Sequence, residues 1–354
     1  MTDISDVRAA LARIVDPGTG EDIVAADIVR ALTVEDGAVR FVLEIDPARA
    51  DEMEAVRAEA EAAITALPGI TAVSAVLTAH STPAPNLGQR QERRAPSGPV
   101  ALPDVDRIVA VASGKGGVGK STVAANLAVA LAAEGKRVGL LDADVYGPSQ
   151  PRMMGMKDAR PGSTGDGQTI VPLQAHGVTL MSIGFMLEEG TAVVWRGPML
   201  MSAITQMLGQ VAWGALDVLI VDLPPGTGDV QLTLAQRAEL SGAIIVSTPQ
   251  DIALIDARKA VDMFAKTATP VLGIIENMSG FICPKCGHEV EIFGKGGAEA
   301  DAARMGVPFL GRIPLDLEIR LSGDGGTPIA AQPDRPQATA FRDAARRLLE
   351  AGLI

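Results

Sequence analysis

No feature restricts the fold of this chain more than GKGGVGKS at residues 114–121. It fits G-x-x-x-x-G-K-[ST], follows the apolar run RIVAVAS (107–113) and opens a long Ala-rich helical stretch reaching about residue 134. A glycine loop between a buried strand and a helix is a phosphate cradle. Gly116, Gly117 and Gly119 let the backbone curl so that its N–H groups face phosphate oxygens. The helix N-terminus adds its positive dipole end. In this frame residues Gly114, Lys115, Gly116, Gly117, Val118, Gly119, Lys120, Ser121 and Thr122 form the nucleotide-binding loop. Lys120 is expected to face solvent or ligand and to reach the β- and γ-phosphates, with the Ser121 hydroxyl on Mg²⁺. An ordinary glycine turn would not require this strand–loop–helix context. Lys115, taken alone, has a solvated surface charge as its blander reading.

Further apolar runs follow at 137–143, 216–223, 242–248 and 270–276, with helix patterns between them. Uniformly apolar strands alternating with helices predict an α/β fold, a mostly parallel sheet covered by helices on both faces. In such sheets the carboxyl ends of strands face the ligand crevice. Two of these runs end in acids: LLDADVYGPS carries Asp142 and Asp144, and LIVDLPPGTGD carries Asp222 and Asp229. Asp222 and Asp142 are assigned to the Mg²⁺ shell, Asp144 to orienting the attacking water, and Asp229 to a switch-loop contact or a helix cap.

The rest of the chain divides by texture. Residues 1–80 read as a small α+β domain: a helix at 3–15, strand-like IVRALTVEDGAVRFVLEI, a charged helix over about 47–66, and a last strand in GITAVSAVLTA. Residues 81–103 are rich in Pro, Gly, Arg and Gln without periodicity and read as a flexible linker. Residues 104–354 form the nucleotide-binding domain. A formal net charge of −12 and 3% aromatic residues argue against a nucleic-acid surface, which needs clustered cations and stacking platforms. The same acidity argues against an anionic membrane surface, and no apolar run reaches the roughly 18 residues of a bilayer span. The tail QATAFRDAARRLLEAGLI reads as a docked terminal helix, with a membrane helix as the alternative. The charged amphipathic N-terminus does not resemble a signal peptide, so a reducing cytoplasm is expected.

Both cysteines, Cys283 and Cys286, lie in SGFICPKCGHEV as C-x-x-C. Two thiolates at this spacing supply half of a four-ligand centre. The residues leave three readings open: an iron–sulfur cluster shared between two chains, a zinc site completed by His288, or a redox dithiol. A zinc ribbon needs a second pair, and the other histidines, His80 and His176, lie far off in sequence. A redox pair usually opens a helix, whereas GHEVEIFGKGG reads as hairpin and loop.

GKGGVGKST resembles the deviant phosphate loop of the MinD/ParA class, and DADVYGPSQPRMMG, VVWRGPM, LIVDLPPGTGD, STPQDIALIDARKAVDMF, GIIENMSGFICPKCG and GRIPLD resemble, in order, the Mrp family of iron–sulfur cluster carrier ATPases. DPGTGEDIVAADIV resembles the MIP18-like assembly domain often fused to it, although the block at 1–80 holds no cysteine. The resemblance implies a Mg²⁺-dependent ATP hydrolase that acts as a homodimer. It implies a labile cluster, four-iron and shared between two chains through Cys283 and Cys286, received from a scaffold and handed to apo iron–sulfur proteins. It implies that Lys115 reaches the partner's nucleotide, and that Asn277 and the Pro314 loop flank the adenine. A contrasting expectation from the same loop is a MinD/ParA-like positioning switch with a structural zinc.

Overall fold

The computed structural model describes residues 2–26, 28–35, 37–45, 49–79, 100, 102–164, 169–186 and 197–354, and at a few positions in its helices and strands, Asp229 among them, the backbone alone. Most of the expected linker, His80, the greater part of VVWRGPM and the side chain proposed as a switch-loop contact at Asp229 lie outside the described residues. The chain forms two compact units, Met1–Arg93 and Arg94–Ile354.

The first unit runs α1 (Ile4–Leu11), β1 (Val29–Glu35), β2 (Ala38–Ile45), α2 (Ala50–Thr65) and β3 (Ala72–Ala79). Its sheet has the order β1-β2-β3, with β1 antiparallel and β3 parallel to β2. A parallel pair requires a crossover, and α2 provides it. Asp3 caps α1 through the Ser5 and Asp6 N–H groups, at 2.8 and 3.0 Å. The helix stops short of the expected residue 15 because Val15 turns away to bridge Asp22. Leu11, Phe41, Leu43, Met53 and Ile64 fill the core between helices and sheet. Asp16, buried in the DPGTG turn, is paired with Arg49, whose guanidinium holds the carboxyl down at about 2.

The second unit opens with β4 (Ile108–Ala112), α3 (Lys120–Ala133), β5 (Val138–Asp142), α4 (Gln150–Met153), β6 (Gly162–Ser163), β7 (Ile170–Val171), β8 (Leu173–Ala175) and β9 (Val178–Ser182). It continues with α5 (Gly197–Gly209), β10 (Val218–Asp222), α6 (Asp229–Arg237), β11 (Gly242–Ser247), α7 (Asp251–Lys266) and β12 (Val271–Glu276). The last elements are β13 (Phe281–Ile282), β14 (Glu289–Val290), α8 (Gly297–Met305), β15 (Phe309–Arg312), α9 (Leu317–Asp324) and α10 (Ala338–Glu350). Eight strands form one sheet in the order β15-β12-β11-β4-β10-β5-β9-β8, parallel throughout except for β8 at the edge.

The expected runs became β4, β5, β10, β11 and β12, and nearly every residue in them is buried, as a sheet covered on both faces demands. Strands β8, β9 and β15 were not read from the sequence. The tail is a docked helix: Phe341, Ala344, Ala345 and Leu348 of α10 are buried, Arg346 pairs with Glu134 at 2.9 Å, and Arg347 donates to the Leu310 carbonyl at 2.7 Å. Among the described residues no helix is long and apolar enough to cross a membrane.

Candidate nucleotide and metal site

The central strand β4 ends at the phosphate loop, between the acidic ends of β10 and the start of α3. Gly117 and Gly119 both take φ of 82°, the left-handed conformation that side chains avoid. Gly119 is needed for a second reason: a Cβ there would stand 2.1 Å from the Asn277 amide nitrogen. The loop is braced from inside by the Ser113 hydroxyl, which donates to the Lys115 carbonyl at 2.9 Å. A cavity of about 300 Å³ opens over the loop, lined among others by Lys115, Gly117, Lys120, Ser121, Thr122 and Asp144. The Lys115 side chain is exposed there.

Lys120 does not point into solvent. Its ammonium is buried against Asp222, lies 3.8 Å from Asp144 and donates to the Ser121 hydroxyl at 3.3 Å. Of the expected solvent- or ligand-facing lysine, the solvent-facing alternative is corrected, while the side chain still lines the cavity over the loop. The amine pairs with the fully buried Asp222 carboxylate. The second oxygen of Asp222 accepts from Gln150 Nε2 at 2.9 Å.

Asp142 lies opposite Asp222 in the parallel register of β5 and β10. One Asp142 oxygen accepts from the Ser149 and Gln150 N–H groups and the Ser182 hydroxyl, each at 3.0 Å. The other accepts from the Asp144 N–H at 3.2 Å. These bonds fold the segment 144–150 back over the strand end. Burial, and then the neighbouring Asp222, push the Asp142 carboxyl up to about 7. Burial also raises Asp144, against the pull of Lys120. A second cavity, of about 360 Å³, lies between Asp144, Tyr146, Pro224, Pro225 and Gln231, so Asp144 borders both.

Asn277 donates its amide to the Val118 carbonyl at 2.8 Å, bracing the phosphate loop from beside the cavity. Pro314 lies between two residues that pair with the chain just after Asn277: Ser279 N–H donates to the Ile313 carbonyl, and Leu315 N–H to the Gly280 carbonyl, each at 2.9 Å. That pairing leads directly into the cysteines. Cys283 and Cys286 occupy the turn of the β13–β14 hairpin, closed by Cys283 N–H to the His288 carbonyl at 2.9 Å and Gly287 N–H to the Cys283 carbonyl at 2.8 Å. The backbone N–H groups of Lys285 and Cys286 point at the Cys283 sulfur and lower its pKa, favouring the thiolate that ligates metal. Cys286 is exposed, and Ile282, Val290 and Ile292 beside it are exposed as well. Among the described residues no three His, Cys, Asp or Glu side chains are grouped to hold a metal ion, so the two thiols have no third ligand there.

Residues without a sequence-based assignment also build this region. Gln150 bonds Asp222 and the Ser121 carbonyl, Gln231 bonds the Pro224 and Pro225 carbonyls, and Glu276 holds the chain around the cysteine hairpin. Gln150 and Glu276 lie inside quoted motifs, DADVYGPSQPRMMG and GIIENMSGFICPKCG, which assigned them no role, and Gln231 lies outside all of them.

Comparison with known proteins places this geometry in context. A family model for the NUBPL iron-transfer P-loop NTPase matches residues 104–349, and one for an iron–sulfur cluster assembly protein matches residues 4–76. An iron–sulfur cluster carrier protein of Synechocystis is 41% identical over 346 residues, 97% of this chain and 96% of that one. One from Pseudomonas fragi is 54% identical over 245 residues, covering 69% and 85% of the two chains. The ADP complex of a nucleotide-binding protein from Archaeoglobus fulgidus superposes with a TM-score of 0.58 at 41% identity, over 67% of this chain and 91% of that one. The cell division ATPase MinD of Pyrococcus furiosus gives 0.52 at 25% identity, over 70% and 99%. With one relative aligned almost end to end and the family match spanning the whole sheet of the second unit, this chain belongs to the NUBPL iron-transfer P-loop NTPases, on a MinD/ParA-like fold.

Proposed function

We propose that the protein is a homodimeric iron–sulfur cluster carrier whose ATP binding and hydrolysis are coupled to its dimer state. The observation that carries this reading is the cysteine hairpin. Its two thiols are exposed or half-buried, a backbone N–H pair favours the thiolate, and the described residues of one chain bring no further ligand to them. A second copy related by a two-fold axis supplies the same two thiols, and four cysteines complete a four-iron cluster. The exposed Ile282, Val290 and Ile292 suit such a contact, since apolar side chains gain by leaving water. The cluster is cargo, received from a scaffold protein and passed to apo iron–sulfur proteins. The names of the relatives support that assignment. In this reading the chain comprises an assembly module at 1–80, a linker at 81–103 and the ATPase at 104–354.

The nucleotide chemistry follows from the loop. Phosphate oxygens at the N-terminus of α3 draw the Lys120 ammonium away from Asp222, because they offer more negative charge in the same reach. The released Asp222 carboxylate and the Ser121 hydroxyl are hard oxygen donors, the kind Mg²⁺ takes, with Asp142 opposite Asp222 in the strand register. That ion would supply charge neutralisation at the β- and γ-phosphates. Asp144, at the boundary of the two cavities, orients the attacking water. Lys115, exposed at the rim, reaches the partner's nucleotide, and Asn277 and the Pro314 loop border the base.

Anaerobic reconstitution tests the reading. A shared four-iron cluster gives roughly two iron and two sulfide per chain, and a shared two-iron cluster about one of each. Zinc bound within each chain gives about one zinc and no sulfide. Wild-type protein without sulfide, or a Cys283→Ala chain that retains both iron and sulfide, would overturn it.

A further inference from the structure

We infer that Glu276 is a positioning residue that ties the cysteine hairpin to the phosphate loop, so that nucleotide at the loop sets how the two thiols are presented. The inference rests on the proposed carrier function for its meaning, though not for its test.

Glu276 ends β12 and is fully buried. One carboxylate oxygen accepts from the Ser279 hydroxyl at 2.5 Å and from Gly296 N–H at 2.8 Å. Arg312 Nε stands 3.7 Å from that same oxygen, and the other oxygen accepts from Ala298 N–H at 2.8 Å. Ser279 precedes Cys283 in the chain, and Gly296 follows Cys286. A single carboxylate thus holds both legs of the segment that carries the cysteines.

The same carboxylate also caps α8. A helix is ordinarily capped by the side chain at its own N-cap. The N-cap of α8 is Gly296, which has no side chain, and the first N–H groups are satisfied from a distant strand instead. The cost of burying a carboxylate is accepted where its bonds fix one segment to another.

The other end of the tie is the next residue. Asn277 donates its side chain to the Val118 carbonyl of the phosphate loop and its backbone N–H to the Ser247 carbonyl, both at 2.8 Å. The backbone between tie and hairpin has little slack. Met278 is held at φ 57° and Gly280 at φ 72°, and a Cβ on Gly280 would stand 2.6 Å from a Glu289 oxygen. The bridge between Phe281 and Leu315 runs alongside as a second rail. A movement of the Val118 carbonyl when phosphate fills the loop is therefore transmitted through Asn277 and Glu276 to both legs at once. Coupling of this kind is reciprocal.

The chain has two cysteines, both in the hairpin, so thiol labelling of the full-length protein reports on that hairpin alone. The probe is 5,5′-dithiobis(2-nitrobenzoate) on cluster-free protein, with and without Mg²⁺ and a non-hydrolysable ATP analogue. In the wild type the nucleotide should change the labelling rate by roughly fivefold or more. Glu276→Gln places an amide NH₂ against a backbone N–H of the α8 terminus. It should reduce that ratio towards one while the analogue still binds. Ser279→Ala removes only the link to the first leg and keeps the helix cap, so it should give an intermediate ratio. The wild-type ratio retained in either variant would overturn the inference, as would a wild-type rate indifferent to nucleotide. If Glu276→Gln fails to fold, Ser279→Ala decides. Because no cluster is present, failure of cluster reconstitution would refute the carrier function and leave this tie standing.

Discussion

Replacing Lys120 by alanine should do more than abolish productive ATP binding. In the nucleotide-free chain its ammonium is the cation against Asp222, a carboxylate fully out of water, with Asp142 opposite and Asp144 at 3.8 Å. Removing one partner of a buried pair leaves an uncompensated charge and costs about 3–5 kcal/mol. A loss of about 3–5 kcal/mol is expected, which at a urea slope near 3 kcal/mol/M lowers the midpoint by roughly 1–2 M. Trp213 is buried in the second unit, so its fluorescence follows that unit. Adding Asp222→Asn removes the stranded charge and keeps an acceptor for Gln150, so the double variant should recover most of the loss. An unchanged midpoint for Lys120→Ala at pH 7 without nucleotide, or a double variant no better than the single one, would refute the reasoning.

Asp142, pushed up to about 7 by burial and by Asp222, binds a proton in the folded state that the unfolded chain releases near 4. Its contribution to stability is therefore fullest at low pH and declines as pH rises from about 4 to 7, and Asp142→Asn should flatten the urea midpoint over that window. Asp144→Asn should retain nucleotide binding and slow hydrolysis roughly 10²–10⁴-fold, measured as phosphate release per bound ATP. Normal turnover per bound ATP would make Asp144 a structural residue. Lys115→Ala should also lose hydrolysis, and mixing it with Asp144→Asn should restore part of the activity, since a mixed dimer holds one site with its own Asp144 and the partner's lysine. No recovery with heterodimers demonstrated would count against a role in trans.

How far the sequence discloses such a site depends on where each residue's partners lie. The five central strands were legible because a sheet buried on both faces demands unbroken apolar runs, and the phosphate loop because its chemistry is local to eight residues. Strand β15 is four residues long and contains a glycine, and β9, VTLMS, mixes Thr and Ser with apolar residues, so neither is an unbroken apolar run. Side-chain roles were harder. Asp142, Asp144 and Asp222 all read as acids at strand ends, yet only folding separates them. Asp142 receives four hydrogen bonds from its own chain, Asp222 takes the lysine, and Asp144 is left facing the cavity. Glu276 closes an apolar run inside the quoted GIIENMSGFICPKCG, which assigns it no role, and its partners at 279, 296 and 298 become neighbours only once β12 and α8 are packed. A strand's last acid can cap a helix, hold a metal or orient water. What distinguishes these roles is which donors the rest of the chain brings within 3 Å, and that is a property of the topology rather than of the local sequence.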